Sequence, residues 1–154
     1  MPTSTRFAVA VHAAAALAFN DGGPVRSEDI ARSASTNPAV IRKLFSLLAD
    51  AGITDARLGL GGGAVLARPP EDVTLLDIYR AVEAPVLIPL HRRSPDPGCP
   101  VGRNIQAVLR PVADQAQQAM EAELAKVTLA DVARSLRERV GPAAIAARKS
   151  ETIV

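Results

Sequence analysis

The residues of this chain that could do chemistry are few and widely spaced. The 154 residues include two histidines, His12 and His91, and a single cysteine, Cys99. Catalysis needs a nucleophile with a base, or several metal ligands, in a recognisable arrangement, and the sequence contains no such motif. We therefore expect that the protein is not an enzyme. His12 lies in an apolar helical pattern, where we expect a partly buried histidine with one hydrogen-bond partner.

A second group of residues favours the binding of an anion. Asn37 and Pro38 are typical of the cap and the first position of a helix, and Arg42 and Lys43 follow in its first turns. A helix N-terminus attracts phosphate through its free backbone N–H groups and its dipole. Taken alone, the two charges fit a solvated surface equally well, so the surrounding elements decide between these interpretations.

Those elements form a recognisable succession in residues 27–67. A short helix capped by Ser27 is followed by a polar turn and a second helix that ends near Gly52. Two β-like runs then flank the glycine-rich segment Gly59–Gly63. The glycines do not fit a phosphate loop, because a strand and not a helix follows them. The pattern predicts a winged helix-turn-helix, a nucleic-acid-reading motif.

The second half of the chain predicts a loop and a long helix. Five prolines between residues 84 and 100 exclude a helix there. From residue 101, apolar side chains recur at nearly coiled-coil spacing, and we expect Pro111 to kink the helix or mark a restart. The stripe predicts a dimer interface, with packing on the first helix as the alternative. Its members are Val101, Ile105, Val108, Val112, Ala116 and Met120.

Composition and charge limit the environment and the partners. The net charge is +2, yet residues 1–83 hold eight basic and nine acidic side chains, so DNA binding there depends on local placement of charge. One cysteine excludes an intrachain disulfide and favours a reducing compartment. The sequence shows no apolar run of the roughly 20 residues that a membrane span needs, and no secretory signal is evident. We expect a cytoplasmic protein.

Several stretches resemble one bacterial family, the Rrf2-type regulators that include IscR, NsrR and CymR. They are RFAVAVHAAAALA, SEDIARSASTNPAVIRKLFSLLADAGI, GLGGGAVLARPPEDVTLLDIYRAVE and CPVGRNIQAVLRPVADQAQQAMEAELAKVTLADV. The resemblance covers roughly residues 4–139. It implies a mainly α fold with a small β-hairpin: a winged helix-turn-helix domain plus a long dimerisation helix. It also implies a homodimeric transcription factor with a sensor loop before that helix.

The chain departs from the family pattern at two places. Many members carry three cysteines in the sensor loop and hold an iron–sulfur cluster, whereas this loop has Cys99 alone. We therefore expect no cofactor, and the Cys-Pro-Val-Gly sequence resembles a clusterless branch. In the wing, Leu58 and Leu60 stand where the family commonly has arginine and proline. We expect this wing to contact DNA weakly, through its backbone.

These observations predict a division of the chain and a function. Residues 1–83 form a DNA-binding domain, 84–100 a sensor loop, 101–140 the dimerisation helices and 141–154 a tail. The function expected is that of a dimeric repressor on a pseudo-palindromic DNA operator, without membrane association. The alternative is a winged-helix protein-interaction module with weak or no specific DNA binding.

Two sets of site residues follow. The residues expected to contact DNA are Thr36, Asn37, Pro38, Ala39, Arg42, Lys43, Arg57, Gly61, Gly62 and Gly63. The residues expected to sense a signal are Cys99, His12 and His91. Cys99 precedes a predicted helix, which lowers a thiol pKa and favours redox sensing, but an inert cysteine fits equally well. A small-molecule effector bound by the loop is the other possibility.

Overall fold

The computed structural model describes residues 4–142, and its architecture is mainly helical with one β-hairpin. The elements are α1 (Arg6–Phe19), α2 (Ser27–Ser33), α3 (Pro38–Asp50), β1 (Thr54–Arg57), β2 (Gly63–Leu66), α4 (Leu75–Val82), α5 (Pro100–Ala125) and α6 (Leu129–Val140). A short 3-10 turn, Pro70–Asp72, precedes α4. The fold class predicted from the sequence is confirmed. The predicted tail lies outside the described residues from position 143 onward.

Helices α1, α3, α4 and α6 surround one hydrophobic core. Alanines of α1 are fully buried there, and small side chains allow neighbouring helices to approach closely. The largest fully buried side chains are Leu17, Ile30, Ile41, Leu44, Leu48, Ile53, Ile78, Leu129 and Val73. Because Leu129 belongs to α6, the end of the described chain returns to the helix-turn-helix and completes its core.

The hairpin is antiparallel, with four residues in each strand. Thr54 lies opposite Leu66, and Arg57 lies opposite Gly63. Val25 adds a β contact to the hairpin, because its N–H and C=O both bond to Ala64 at 3.0 and 2.9 Å. The first strand does not include Ile53, whose N–H bonds to the end of α3.

Three helices begin with a side-chain cap, including the cap predicted at Asn37. Asn37 accepts the N–H of Ala39, and Thr74 and Thr128 each form a capping box with the aspartate three residues later. The prediction of Ser27 as a cap is wrong. Arg26 occupies the cap position of α2, and Ser27 already belongs to the helix.

Pro111 was expected to kink the helix or to mark a restart, and the restart is wrong because α5 runs unbroken through this residue. A proline within a helix removes one backbone hydrogen bond, that to the carbonyl of Ala107. Both residues are exposed, so water can take the place of the missing donor.

Two apolar side chains of α3 and α6 are only partly covered by the core. Val40 in α3 is 44% exposed and Leu136 in α6 is 38% exposed. Each lies beside the buried face of its helix, at the margin of the core.

Candidate nucleic-acid interface

The start of α3 presents its polar side chains to solvent because its apolar face is anchored. Ile41, Leu44 and Leu48 are buried in the core. Arg42 and Lys43 are exposed, as is Ala39 one turn earlier. The three residues share one face of the helix, because positions three and four apart are neighbours there.

The turn before α3 fixes the orientation of that helix. Ser35 has a positive φ of 50°, and the N–H of Thr36 bonds to the carbonyl of Ala31 at 2.9 Å. Thr36 is half-buried, whereas Asn37 is exposed. The Oδ1 atom of Asn37 accepts the N–H of Ala39 at 2.8 Å, and Pro38 occupies the first helical position. The Asn37 side chain is therefore committed to the cap.

Arg42 is paired with a residue that the sequence did not bring into consideration. Its Nη2 atom donates to Oε1 of Glu28 in α2 at 2.7 Å. The bond from Arg42 holds the pKa of the Glu28 carboxyl below its usual value, so that Glu28 is ionised at neutral pH. The partners are 14 positions apart in the sequence, farther than any helical pair, so only the packing of α2 on α3 reveals this contact.

The ion pair borders the wing. Residues of α2, Arg42 and the glycines of the hairpin enclose an open cleft of about 440 Å³. Glycine is required at the tip, because Gly59 and Gly61 have φ values of +91° and +75°. A Cβ atom on Gly62 would clash with the carbonyl oxygen of Arg57, and one on Gly63 would lie 2.6 Å from the Val25 oxygen.

The side chains of the wing tip are apolar. Leu58 is 95% exposed and Leu60 is fully exposed. Arg57 is also exposed, at the end of β1. The wing therefore offers backbone, two leucines and one flanking cation.

The three predicted sensor residues are not assembled into one site. His12 is half-buried, and its Nε2 atom lies 2.9 Å from Oγ of Ser33 in α2, which is the single partner expected. His91 and Cys99 are exposed in the segment that precedes α5. Within residues 4–142, no cluster of three histidine, cysteine or acidic side chains could hold a metal.

Cys99 occupies the cap position of α5. The backbone N–H groups of Gly102 and Val101 hold the pKa of its thiol below the usual value, in the direction that the sequence predicted. The preceding turn is fixed by Asp96, which accepts the N–H groups of Gly98 and Cys99 at 2.9 and 3.3 Å.

The stripe predicted on α5 is only partly covered. Val101, Val108 and Val112 are 69%, 64% and 61% exposed. Ile105, Ala116 and Met120 are half-buried. Packing on α1 was the alternative, but the principal neighbour of α5 in the described chain is α4.

Polar contacts join α5 to α4 and to the segment that follows it. Arg80 donates to Glu121 at 2.7 Å. Gln117 donates to the carbonyl oxygen of Pro85 at 2.8 Å and accepts the N–H of Leu87 at 3.2 Å. These contacts lie at the side of α5 and leave the valines open.

The helices α2 and α3 with the hairpin define a winged helix-turn-helix protein. Residues 3–135 match the model of the Rrf2 family, described as an iron-dependent transcriptional regulator. The chain belongs to this family and is a transcriptional regulator of the helix-turn-helix type. The family is not one of enzymes, which confirms the expectation from the sequence.

Relatives agree with this assignment. YwnA of Bacillus subtilis, a candidate HTH-type transcriptional regulator, is 40% identical over 133 residues, which cover 86% of this chain and 98% of YwnA. A crystal structure described as that of a candidate DNA-binding protein is 40% identical, with a TM-score of 0.66 and coverage of 82% of this chain and 97% of the other.

The structure of IscR from T. potens is similar over more of the chain. It is 26% identical, with a TM-score of 0.69 and coverage of 92% and 93% of the two chains. In the part of the chain that the structure describes, no helix is both long and apolar enough to cross a bilayer.

Proposed function

We propose that this chain is a homodimeric repressor that binds a pseudo-palindromic DNA operator through α3. The observation that carries the proposal is the exposed row of Ala39, Arg42 and Lys43 on a helix whose opposite face is anchored in the core. Such a helix fits the major groove, with its N-terminal residues at the base edges. Residues 1–83 then read DNA, 84–100 sense a signal and 101–140 join the subunits.

Each part of the interface has a chemical role in this proposal. Arg42 and Lys43 donate to phosphate or to guanine, and the helix N-terminus at Asn37 and Pro38 favours a nearby phosphate. Thr36 adds a short polar contact. The wing, Arg57 with Gly61–Gly63, positions the protein at the adjacent minor groove through its backbone, because glycine permits close approach to a sugar-phosphate chain.

The uncovered valines of α5 support the dimer. A 26-residue helix with three valines more than 60% exposed gains stability when a second copy covers them. An isologous pair of α5 helices would hold two α3 helices on successive major grooves, about 34–36 Å apart. The half-site spacing is then a property of the α5 contact.

The signal would act at the start of α5. Cys99 is exposed, and the helix N-terminus favours its thiolate, which is the form that reacts with oxidants. Oxidation of this thiol, or a small molecule bound by residues 84–100, would shift α5 and change the half-site spacing. His91 lies in the same segment, whereas His12 lies in the helix-turn-helix and would act through Ser33.

An iron–sulfur cluster does not fit these residues, although the family is described as iron-dependent. Such clusters are held by several cysteines, and this chain has Cys99 alone. We therefore place the protein in a clusterless branch and derive no step through a metal.

DNA selection with a matched pair of variants tests the proposal. The purified chain should enrich one palindromic motif from random duplexes, with affinity that falls steeply with salt. Arg42→Ala should weaken binding to the selected motif about tenfold and relax the sequence preference. Arg134→Ala in α6 removes the same charge at an exposed position outside the helix-turn-helix and should leave both unchanged. Absence of any enriched motif would refute the proposal.

A second function is favoured by the apolar wing. The exposure of Leu58 and Leu60, together with the acidic excess of residues 1–83, suits a winged-helix protein-interaction module. Such a module would bind DNA weakly and without a preferred sequence. The selection separates the two functions, because only the repressor enriches a motif.

The signal has its own test. The DNA affinity of the wild-type chain should change on treatment with hydrogen peroxide and return with dithiothreitol, whereas Cys99→Ser should not respond. An equal response in both proteins would exclude the thiol and leave a small-molecule effector.

A further inference from the structure

An acidic residue lies where DNA binding would disfavour one. Glu28 is in the first turn of α2, on the border of the cleft between α3 and the wing. Its side chain is 54% exposed and that of Arg42 is 61% exposed, so the pair faces solvent. A carboxylate at this place repels phosphate, so it weakens DNA binding unless it has another role beside Arg42.

The geometry of the pair leaves Arg42 with donors to spare. In the described residues it consists of one bond, from Nη2 of Arg42 to Oε1 of Glu28. A guanidinium has five N–H donors in a rigid fork. One donor given to Glu28 restricts the orientation of the fork, and the others are left for the groove. Recognition of guanine needs two of them, directed at O6 and N7.

We propose that Glu28 is a specificity-determining residue that orients Arg42 toward a base edge and keeps phosphate away from it. The inference rests on the proposed function. Arg42 without Glu28 is a free cation, and a free cation binds the phosphates of every sequence alike. Arg42 paired with Glu28 is an oriented fork in a pair with no net charge. It binds most tightly where a guanine lies opposite its remaining donors.

The neighbouring acidic residue provides a matched control. Asp29 is also in the first turn of α2, and it pairs with Arg32 at 3.4 Å on the same helix. Glu28→Gln and Asp29→Asn remove the same charge from adjacent positions. Only the first changes the partner of Arg42, so any difference between the two variants reports the pair and not the net charge.

The experiment measures two affinities for each protein. The probes are the duplex that the wild-type chain selects and a scrambled duplex of equal composition. Glu28→Gln should bind the scrambled duplex several-fold more tightly, and its ratio of specific to non-specific affinity should fall about tenfold. Asp29→Asn should keep the wild-type ratio. Equal ratios for all three proteins, or an equal fall in both variants, would overturn the inference.

Two further variants assign the effect to orientation. Glu28→Asp keeps the charge but shortens the side chain by one methylene. Its ratio of specific to non-specific affinity should therefore fall, while its affinity for the scrambled duplex stays that of the wild type. Arg42→Lys should lower the ratio of specific to non-specific affinity in the wild-type background. In the Glu28→Gln background it should lower this ratio no further, because the effects of coupled residues are not additive. Additive losses would contradict the coupling. Thermal unfolding of each variant checks the fold.

The outcomes separate the two proposals. A wild-type chain that enriches no motif overturns the proposed function and this inference together. A wild-type chain that enriches a motif, with an unchanged ratio in Glu28→Gln, overturns the role of Glu28 alone.

Discussion

Helices α3 and α5 are both amphipathic, but only one of them is covered by its own chain. Helix α3 has 13 residues and buries Ile41, Leu44, Phe45 and Leu48. Helix α5 has 26 residues, about 39 Å at 1.5 Å per residue, and among these described residues none is buried. The apolar face of α3 is thus part of a core, whereas that of α5 is a surface.

The difference teaches where each helix gets its stability. The position of α3 is fixed by burial, so its exposed face is held rigidly. The position of α5 rests on polar contacts at one side, such as those of Arg80 and Gln117. In our proposal a second subunit covers the rest, and the relation between the two reading helices becomes adjustable.

The largest expected effect is in the core below α3. Leu48→Ala should lower the free energy of unfolding by about 2–5 kcal/mol, because it removes a fully buried side chain and leaves a cavity. Urea denaturation measures the change. Val40→Ala, on the 44% exposed side of the same helix, should stay within about 0.5 kcal/mol. Similar losses in both variants would contradict the anchored face of α3.

The next effect tests the surface of α5. Val108→Asp should weaken the dimer by about 3 kcal/mol, because an isologous interface loses two buried valines of roughly 1.5 kcal/mol each. Sedimentation over a concentration series measures the shift, on the order of a hundredfold in Kd. Gln118→Asp adds the same charge at an exposed position outside the stripe and should leave the dimer intact. A dimer unaffected by Val108→Asp would refute the role of the stripe.

The parts of this molecule that could be predicted are formed by residues close together in the sequence. The caps at Asn37, Thr74 and Thr128 were predictable because a cap and its helix are neighbours in the chain. The same holds for the glycine tip of the wing and the open stripe of α5. Local signals carried the fold class and placed the basic residues on the first turns of α3.

The parts missed depend on contacts between distant residues. Glu28 meets Arg42 only because α2 packs on α3, and no spacing rule connects them. The turn at Asp96, which fixes Cys99, was not predicted, because the surrounding prolines indicated a loop but not its hydrogen bonds.

A smaller effect tests how α6 connects the far end of α5 to the core. Thr128→Ala should cost about 1 kcal/mol of unfolding free energy, because it removes the cap of a helix that buries Leu129. Ser135→Ala, exposed on the same helix, should have little effect. If Thr128→Ala also cost nothing, the cap would not contribute to holding α6 on the core.

The same cap has a pH dependence. Bonds from the backbone and the hydroxyl of Thr128, and from Arg134, hold the pKa of Asp131 below its usual value of about 3.9. Its contribution to stability is therefore present above that value and is lost as the pH falls through the lower folded pKa. The stability difference between wild type and Asp131→Asn should be constant near neutral pH and should shrink below about pH 4. A difference that does not change with pH would contradict the cap geometry.

The smallest expected effect is on the reactivity of the Cys99 thiol at the start of α5. Because N–H groups of α5 lower the pKa of Cys99, the rate of alkylation by iodoacetamide should reach its midpoint at lower pH in the folded protein than in urea. Gly102→Ala should move the folded midpoint toward that of the unfolded chain, because its Cβ would lie 2.5 Å from the Asp96 oxygen and displace the turn. Equal midpoints in folded and unfolded wild type would show that α5 does not act on this thiol. A signal could then reach the dimer only by binding to the loop, and the uncovered helix would have no reactive trigger at its start.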